Sequence, residues 1–328
     1  MWEALLQIFS ITSLSAVITA SSPLIFASLG ETLNERGGVI NLSVEGSMML
    51  GAMTAFIVTK VTGNIYLGML AAMLVGMAMA LIVAFGSITL HRDQVAIGFI
   101  LAILGQELSS FLGAPWVRQP IQGVQPFKIP FLGDIPIIGP LLFDHDILTY
   151  ASLLLILGMW WLFYRTQPGL KLRGVGDKPA AAFARGVNVN FMRYVYTLAG
   201  GALIGLGGAA FSLWVQLGWS HNHTAGFGWI ALAIVIFGGW HPLRVALGCY
   251  LFGLLRASAT ELQPIFPNLP VQVFPLLPFP LMILTLVFFN SQGLKRLLSY
   301  LPIGLSRNIQ SFLASRAPEG LGQVFVQD

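Results

Sequence analysis

Residues 30–46, GETLNERGGVINLSVEG, concentrate the side chains of this chain that could do chemistry. They hold three carboxylates, one arginine, two asparagines and four glycines, and long apolar runs flank them on both sides. Carboxylates and amides inside a membrane mark solute pathways and proton relays. The polar side chains with this potential are Glu31, Asn34, Glu35, Arg36, Asn41, Ser43 and Glu45.

The charges of this stretch restrict where it can lie. A charge that faced lipid at the bilayer centre would cost roughly 2.5–3.5 kcal/mol. The stretch therefore lies at a membrane surface, as a short loop with capping residues, or inside the protein, where helices can be broken around a polar cavity. The residues alone leave both alternatives open.

The composition predicts the class of fold. Of the 328 residues, 56% are hydrophobic and only 9% are charged, whereas a soluble domain is about 25% charged. We therefore expect an all-α polytopic membrane protein with eight to ten transmembrane segments, some of them short or broken. No linker divides the apolar part, so residues 1–290 are predicted to form one transmembrane domain and residues 291–328 a cytoplasmic tail.

Two of the predicted segments are too short to cross a bilayer. Residues 46–60 and 229–240 each follow a polar stretch that contains glycine, once in each half of the chain. Such paired, interrupted segments indicate a translocation site between inverted repeats; the repeat is a hypothesis, because no residue-level repeat is visible. The other predicted segments cover 4–29, 65–90, 94–113, 147–164, 194–217, 243–260 and 276–289.

The basic residues predict which side of the membrane each loop occupies. Residues 165–193 carry six cations against a single aspartate, which places them in the cytoplasm. The tail from Asn290 is also basic and is placed there too, with an interfacial helix expected within it. Alternation then puts residues 218–228, 261–275 and the proline-rich loop 114–146 outside.

Several kinds of chemistry have no support in the sequence. There is no GxxxxGK[ST] motif to cradle ATP phosphates. His221 and His223 have no cysteine or carboxylate within ten residues, so we expect solvated loop histidines and no metal site. No catalytic residue, metal site or cofactor is predicted, although an ion-coupled carrier that uses Glu31, Glu45 or Glu107 as a proton relay stays an alternative, as does a membrane scaffold or enzyme.

Three stretches together carry a family resemblance. They are GETLNERGGVINLSVEGSMMLGA at 30–52, GLKLRGVGDKPAAAFARGVNV at 169–189 and GFGWIALAIVIFGGWHP at 226–242. The chain resembles the permease subunits of bacterial ATP-binding-cassette (ABC) importers for simple sugars and nucleosides. The same superfamily contains the ribose-type and branched-chain amino acid permeases. The run NLSVEG at 41–46 is similar to the nucleoside and simple-sugar branch.

The resemblance implies a function and a set of partners. The chain would be the transmembrane permease of an importer for nucleosides or simple sugars, in the inner (plasma) membrane of a bacterium. An ATP-binding subunit would supply hydrolysis, and a solute-binding protein or lipoprotein would deliver substrate. The resemblance favours a heterodimer with a second permease over a homodimer. A permease for branched-chain amino acids is the alternative within the superfamily; no nucleic acid is implied.

The middle stretch predicts a short cytoplasmic helix at 179–185. Proline suits the first turn of a helix, Asp177 could cap it, and its alanines form a small face that could seat in a groove. The resemblance implies that this is the coupling helix that docks on the ATPase, although Asp177-Lys178 replaces the family's usual glutamate-asparagine pair. The predicted coupling residues are Gly174, Gly176, Asp177, Pro179, Ala181, Ala182 and Gly186.

The predicted substrate pathway follows from the chemistry of the substrates. Nucleosides and sugars are neutral and polar, so their site needs hydrogen-bonding groups and an aromatic surface. We expect Glu45 to begin the broken helix 46–60, where the helix dipole favours a carboxylate, and to order the cavity instead of binding a cation. The candidate pathway residues are Glu31, Asn34, Asn41, Ser43, Glu45 and Trp229.

Overall fold

The computed structural model describes residues 10–123, 126–224, 226–263, 266, 270, 273–276, 280, 283–284 and 316–326. The predictions for the segment 276–289 and for the beginning of the tail lie largely outside these residues. Within them the fold is helical, as predicted. The helices are α1 Ile11–Arg36, α2 Val44–Thr62, α3 Ile65–Ala84, α4 Gln94–Gly113, α5 Ile138–Leu142, α6 Ile147–Arg165, α7 Gln167–Asp177, α8 Pro179–Ala184, α9 Val189–Ala210, α10 Phe227–Phe237, α11 Pro242–Leu262 and α12 Val273–Leu276.

Six helical segments are long and apolar enough to cross a membrane, counted over the described residues. They run from Ile11 to Arg36, Val44 to Thr62, Ile65 to Thr89, Gln94 to Trp116, Ile147 to Arg165 and Val189 to Val215. Helix α10 has 11 residues, about 16 Å, or half a crossing. The chain is thus a multi-pass membrane protein with one short apolar helix before α11.

Two predicted boundaries are wrong for a shared reason. Helix α1 continues past residue 29 to Arg36, and α2 has 19 residues and begins at Val44. Both helices absorb part of the polar stretch, because its side chains are buried with hydrogen-bond partners. The predicted pairing of two short segments therefore fails, since α2 is a full-length helix and only α10 is short.

After Trp116, the described residues of the proline-rich stretch 114–146 include no helix long enough to cross a membrane, which agrees with the prediction. The stretch contains the short helix α5 and two short strands, β1 Phe127–Lys128 and β2 Asp144–His145. The strands pair antiparallel, with Phe127 opposite His145. The prolines gave no sign of this hairpin, because they set turns without fixing which extended residues pair.

Helix α9 lies at the centre of the bundle and packs through its glycines. A Cβ at Gly30 of α1 would lie 2.6 Å from the Gly200 carbonyl oxygen, and one at Gly51 of α2 would lie 2.7 Å from that of Gly205. A Cβ at Gly205 itself would lie 2.1 Å from the Ala72 carbonyl oxygen of α3. Small residues at such contacts let helices in a membrane approach each other closely. Backbone contact with α9 therefore holds α1, α2 and α3 together.

We predict that Gly205→Ala destabilises the bundle. Its methyl group would meet backbone atoms of α3 that cannot move aside, and overpacking of this kind costs about 1–3 kcal/mol. Gly158→Ala in α6 is the matched control, because nothing lies within 4 Å of its added Cβ and alanine favours a helix. Thermal unfolding of the purified chain should show a lower midpoint for Gly205→Ala alone; equal midpoints for the two variants would contradict this packing.

Candidate functional site

The polar stretch 30–46 lies inside the protein. Its polar side chains at positions 31, 34, 35, 41, 43 and 45 are each at most 3% exposed. It forms the last two turns of α1, the loop 37–43 and the first turn of α2. Of the two locations that the sequence left open, a surface loop is therefore wrong.

Glu31 closes the loop between α1 and α2. Its Oε2 accepts a hydrogen bond from Asn34 Nδ2 at 2.8 Å, and its Oε1 accepts one from the backbone N–H of Asn41 at 3.0 Å. Asn41 Oδ1 in turn accepts from the backbone N–H and the hydroxyl of Ser43, at 3.1 and 2.6 Å. These bonds join four of the predicted pathway residues in one packed network, in which Asn34 Oδ1 and Asn41 Nδ2 are buried without a hydrogen-bond partner among the described residues.

Glu45 joins the first turn of α2 to the beginning of α10. Its Oε1 accepts hydrogen bonds from Thr224 Oγ1 at 2.6 Å and from the Gly226 N–H at 3.1 Å, and its Oε2 accepts from the Gly228 N–H at 2.6 Å. The carboxylate thus lies between the N-termini of two helices, whose dipoles both favour negative charge. These three donors suit an anionic anchor.

Two glycines at the start of α10 make this anchor possible. Gly226 caps the helix with a φ of 90°, in the left-handed region that other residues rarely adopt. A Cβ at Gly228 would lie 2.4 Å from the Cα of Glu45. Any larger residue at position 228 would therefore push α10 away from the carboxylate.

Glu35 and Arg36, at the end of α1, hold the other end of α10. The Trp240 indole N–H donates a short hydrogen bond to Glu35 Oε2. Arg36 Nε donates to the Trp240 carbonyl oxygen at 3.0 Å. Trp240 follows the last turn of α10 with a φ of 55°, and its side chain is buried.

The polar stretch therefore clamps the short helix α10 at both ends. Glu45 binds its first turn, and Glu35 with Arg36 binds the turn that follows its last residue. Neither Glu35 nor Trp240 is among the residues that the sequence predicts for the site. The signal available for Trp240 was an aromatic residue beside Gly238 and Gly239, at a turn that ends an apolar helix.

The prediction that both histidines of the loop 218–228 are solvated is wrong for His223. His223 is buried against Trp219 and Phe211, with ring centroids 5.2 and 5.4 Å away. Burial lowers its pKa to about 4, so it is neutral at physiological pH. His221 is exposed and its Nδ1 lies 2.7 Å from Ser110 Oγ. The loop folds back into the protein because Glu45 offers acceptors to its N–H and hydroxyl groups.

Trp229 is the predicted pathway residue that reaches the surface of the chain. It is 39% exposed and its ring centroid lies 6.2 Å from that of Phe99 on α4. On the same α4, Gln106 donates to Asn222 Oδ1 at 3.0 Å, and Glu107 is exposed. We call this surface the α4–α10 face. It combines two aromatic rings with polar side chains on a membrane helix.

The predicted coupling helix is present as α8, but the two alanines predicted to contact the ATPase differ in their exposure. Ala181 is exposed, whereas Ala182 is 8% exposed and packs in a small cluster with Val175 and Val189. Asp177 ends α7 instead of capping α8, whose N-cap is Lys178 without a side-chain hydrogen bond. Gly174 lies within α7, and Gly186 follows α8 with a φ of 80°.

The predicted coupling region touches the polar stretch directly. A Cβ at Gly176 would lie 2.2 Å from the Arg36 carbonyl oxygen. Tail residues 316–326 bridge the same two regions: Gly320 N–H donates to the Gly176 carbonyl oxygen at 2.9 Å, and Gly322 N–H donates to that of Gly38 at 3.1 Å. Phe325 contacts Phe183 of α8 with ring centroids 6.0 Å apart. The tail thus ties α8 to the loop between α1 and α2.

Comparison with known proteins identifies the family. Residues 13–286 match the family described as branched-chain amino acid transport system / permease component, and the chain belongs to it. The chain is 39% identical to a putative glucose ABC transporter permease protein, TsgC13, of Haloferax volcanii, over 80% of this chain and 82% of that one. It is 33% identical to the guanosine ABC transporter permease protein NupQ of Bacillus subtilis, over 87% and 93%. A second Bacillus subtilis protein, the guanosine ABC transporter permease protein NupP, is 22% identical over 77% and 74%.

We predict that transport by the assembled transporter falls in the order wild type, Glu45→Gln, Glu45→Ala. Gln keeps acceptor capacity on one atom but loses the charge, and Ala leaves all three donors without a partner. Hydrogen bonds to charged groups contribute about 1.5–3 kcal/mol each. Solute uptake into proteoliposomes measures the order, with complex assembly as the control. Full activity of Glu45→Ala would contradict the clamp, whereas a pH dependence of transport that vanishes in Glu45→Gln would favour a proton relay.

Proposed function

We propose that this chain is the permease subunit of an ABC importer for nucleosides or glucose. The observation that carries the proposal is the similarity to TsgC13 and NupQ, which extends over four fifths or more of this chain. These relatives are named for glucose and guanosine, and both solutes are neutral and polar. The chain has no nucleotide-binding motif, so an ATP-binding partner subunit would supply hydrolysis.

The α4–α10 face supports a pathway between two permease chains. Polar side chains such as Glu107, Gln106 and Asn222 are unfavourable on a surface that faces lipid. They are favourable on the wall of a water-filled pathway that a second permease encloses. Trp229 and Phe99 offer aromatic surface to a base or a sugar ring, and the neutral amides offer hydrogen bonds. Glu45 would act one layer behind this face by holding α10 in place. The buried residues Glu31, Asn34, Asn41 and Ser43 would order the turn that precedes it.

The proposed assembly contains two permeases, two ATP-binding subunits and a solute-binding protein or lipoprotein. Bacillus subtilis has NupQ and the more distant NupP, both named for guanosine. That pair supports a heterodimer, with a different permease opposite this chain. In this arrangement α8 presents Ala181 to the ATP-binding subunit on the cytoplasmic side of the plasma membrane.

A permease for branched-chain amino acids is the second candidate, because the family carries that description. An amino acid carries both a positive and a negative charge. The described part of the α4–α10 face has the carboxylate of Glu107 but no cation, which suits neutral solutes better.

The direct test is uptake by the reconstituted transporter. This chain, its second permease and the ATP-binding subunit are placed in liposomes with the binding protein, and radiolabelled guanosine, glucose and leucine are compared. We expect ATP-dependent uptake of guanosine or glucose. Trp229→Ala should raise the KM for that solute with little loss of ATPase docking. Uptake of leucine alone, or uptake driven by an ion gradient without ATP, would overturn the proposal.

Replacement of Ala181 separates docking from folding. Ala181→Glu adds a bulky charge to the exposed side of α8, where overpacking costs about 1–3 kcal/mol, or roughly ten- to hundredfold in affinity. Gln167→Glu, at the exposed start of α7, is the matched control. Co-purification of the ATP-binding subunit should fall for the first variant and stay at wild-type yield for the second. Equal yields would exclude this docking surface.

A further inference from the structure

A cavity of about 1170 Å³ lies between α7, α8, the start of α11 and the tail. It is separate from the α4–α10 face and takes no part in the proposed pathway. Five cationic side chains and two carboxylates line it. The cations are Arg36, Lys178, Arg185, Arg244 and Arg316, and the carboxylates are Asp177 and Glu319.

The carboxylates do not neutralise this lining. Glu319 lies 3.9 Å from Lys178 and is thereby paired. Arg36 Nε donates to a neutral acceptor, the Trp240 carbonyl oxygen, and Arg244 Nη2 donates to the Gly239 carbonyl oxygen at 3.1 Å. Within the described residues, no salt bridge forms to Arg36, Arg185 or Arg316.

Tyr164 and His241 form an aromatic wall of the cavity. The guanidinium of Arg173 lies 5.1 Å from the ring centroid of Tyr164, and the same ring stacks on His241 at 5.1 Å. The pKa of His241 is lowered to about 4, first by burial and then by the charges of Arg244 and Arg36. His241 is thus neutral, and the arginines supply the positive potential at this wall.

We propose that this cavity binds an anion that carries a phosphate group. Guanidinium groups match phosphate oxygens with two parallel hydrogen bonds, and several of them converge on one cavity here. Two sources share this chemistry: the headgroup of an anionic lipid, which cytoplasmic basic residues attract, and a small phosphorylated solute. The inference rests on the proposed function in one respect, which is that the cavity lies on the cytoplasmic side of the membrane.

Binding to the purified full-length chain tests the proposal without any transport readout. One arm uses native mass spectrometry to compare retention of phosphatidylglycerol with that of phosphatidylcholine. The other arm titrates inorganic phosphate and glycerol 3-phosphate against the chain in neutral detergent. Selective retention of phosphatidylglycerol identifies a lipid headgroup, and saturable binding of glycerol 3-phosphate identifies a solute. A failed uptake assay would leave either result unchanged.

Two double variants test whether the anion binds in this cavity. Arg185→Gln combined with Arg316→Gln should weaken the detected binding about tenfold or more, since two charge-assisted contacts are lost. The matched control, Arg165→Gln with Lys171→Gln, removes two cations of the same region that do not line the cavity. Equal loss in both double variants would reduce the effect to surface charge and overturn the proposal. The absence of binding in both arms would also overturn the proposal. Loss of binding once the ATP-binding subunit is added would overturn it too, because an acidic segment of that subunit would then fill the cavity.

Discussion

The burial of two carboxylates beside the short helix α10 is the constraint on which the rest of this structure depends. Glu35 and Glu45 are each at most 3% exposed, and a buried charge is tolerated only where donors surround it. The donors come from the two ends of α10, through Trp240 on one side and Gly226 and Gly228 on the other. A helix of half a membrane crossing is thereby held inside the bundle by the carboxylates to which its two ends donate hydrogen bonds.

This clamp connects the proposed docking surface to the proposed pathway. Gly176, just before α8, packs on the carbonyl of Arg36, and Arg36 binds the turn after α10. The tail adds a second link through Gly38 and Gly176. A displacement of α8 by an ATP-binding subunit would therefore reach α10, and Trp229 with it, through a short series of direct contacts. Packed backbones transmit such displacements because they leave little free volume to absorb them.

Much of this fold could be predicted from local signals, whereas the site could not. Apolar length predicted the long helices, Pro179 predicted the start of α8, and His241-Pro242 predicted the turn before α11. The partners of Glu45 are about 180 residues away in the chain, so no local pattern reveals them. For the same reason, sequence could not tell the exposed Ala181 from the buried Ala182, which depends on Val175 and Val189. The sequence underestimates the length of α2, because a polar first turn cannot be distinguished from a loop until its hydrogen-bond partners are known.

Hydrogen exchange of α10 tests the clamp most directly. The amides of Phe227–Phe237 are measured by mass spectrometry in the wild-type chain and in the variants Glu35→Ala and Glu45→Ala, each of which frees one end of the helix. The account predicts faster exchange in α10 for both variants, while α6, with which neither carboxylate forms a hydrogen bond, exchanges at the wild-type rate. Unchanged protection of α10 in both variants would contradict the claim that the polar stretch holds this helix in place.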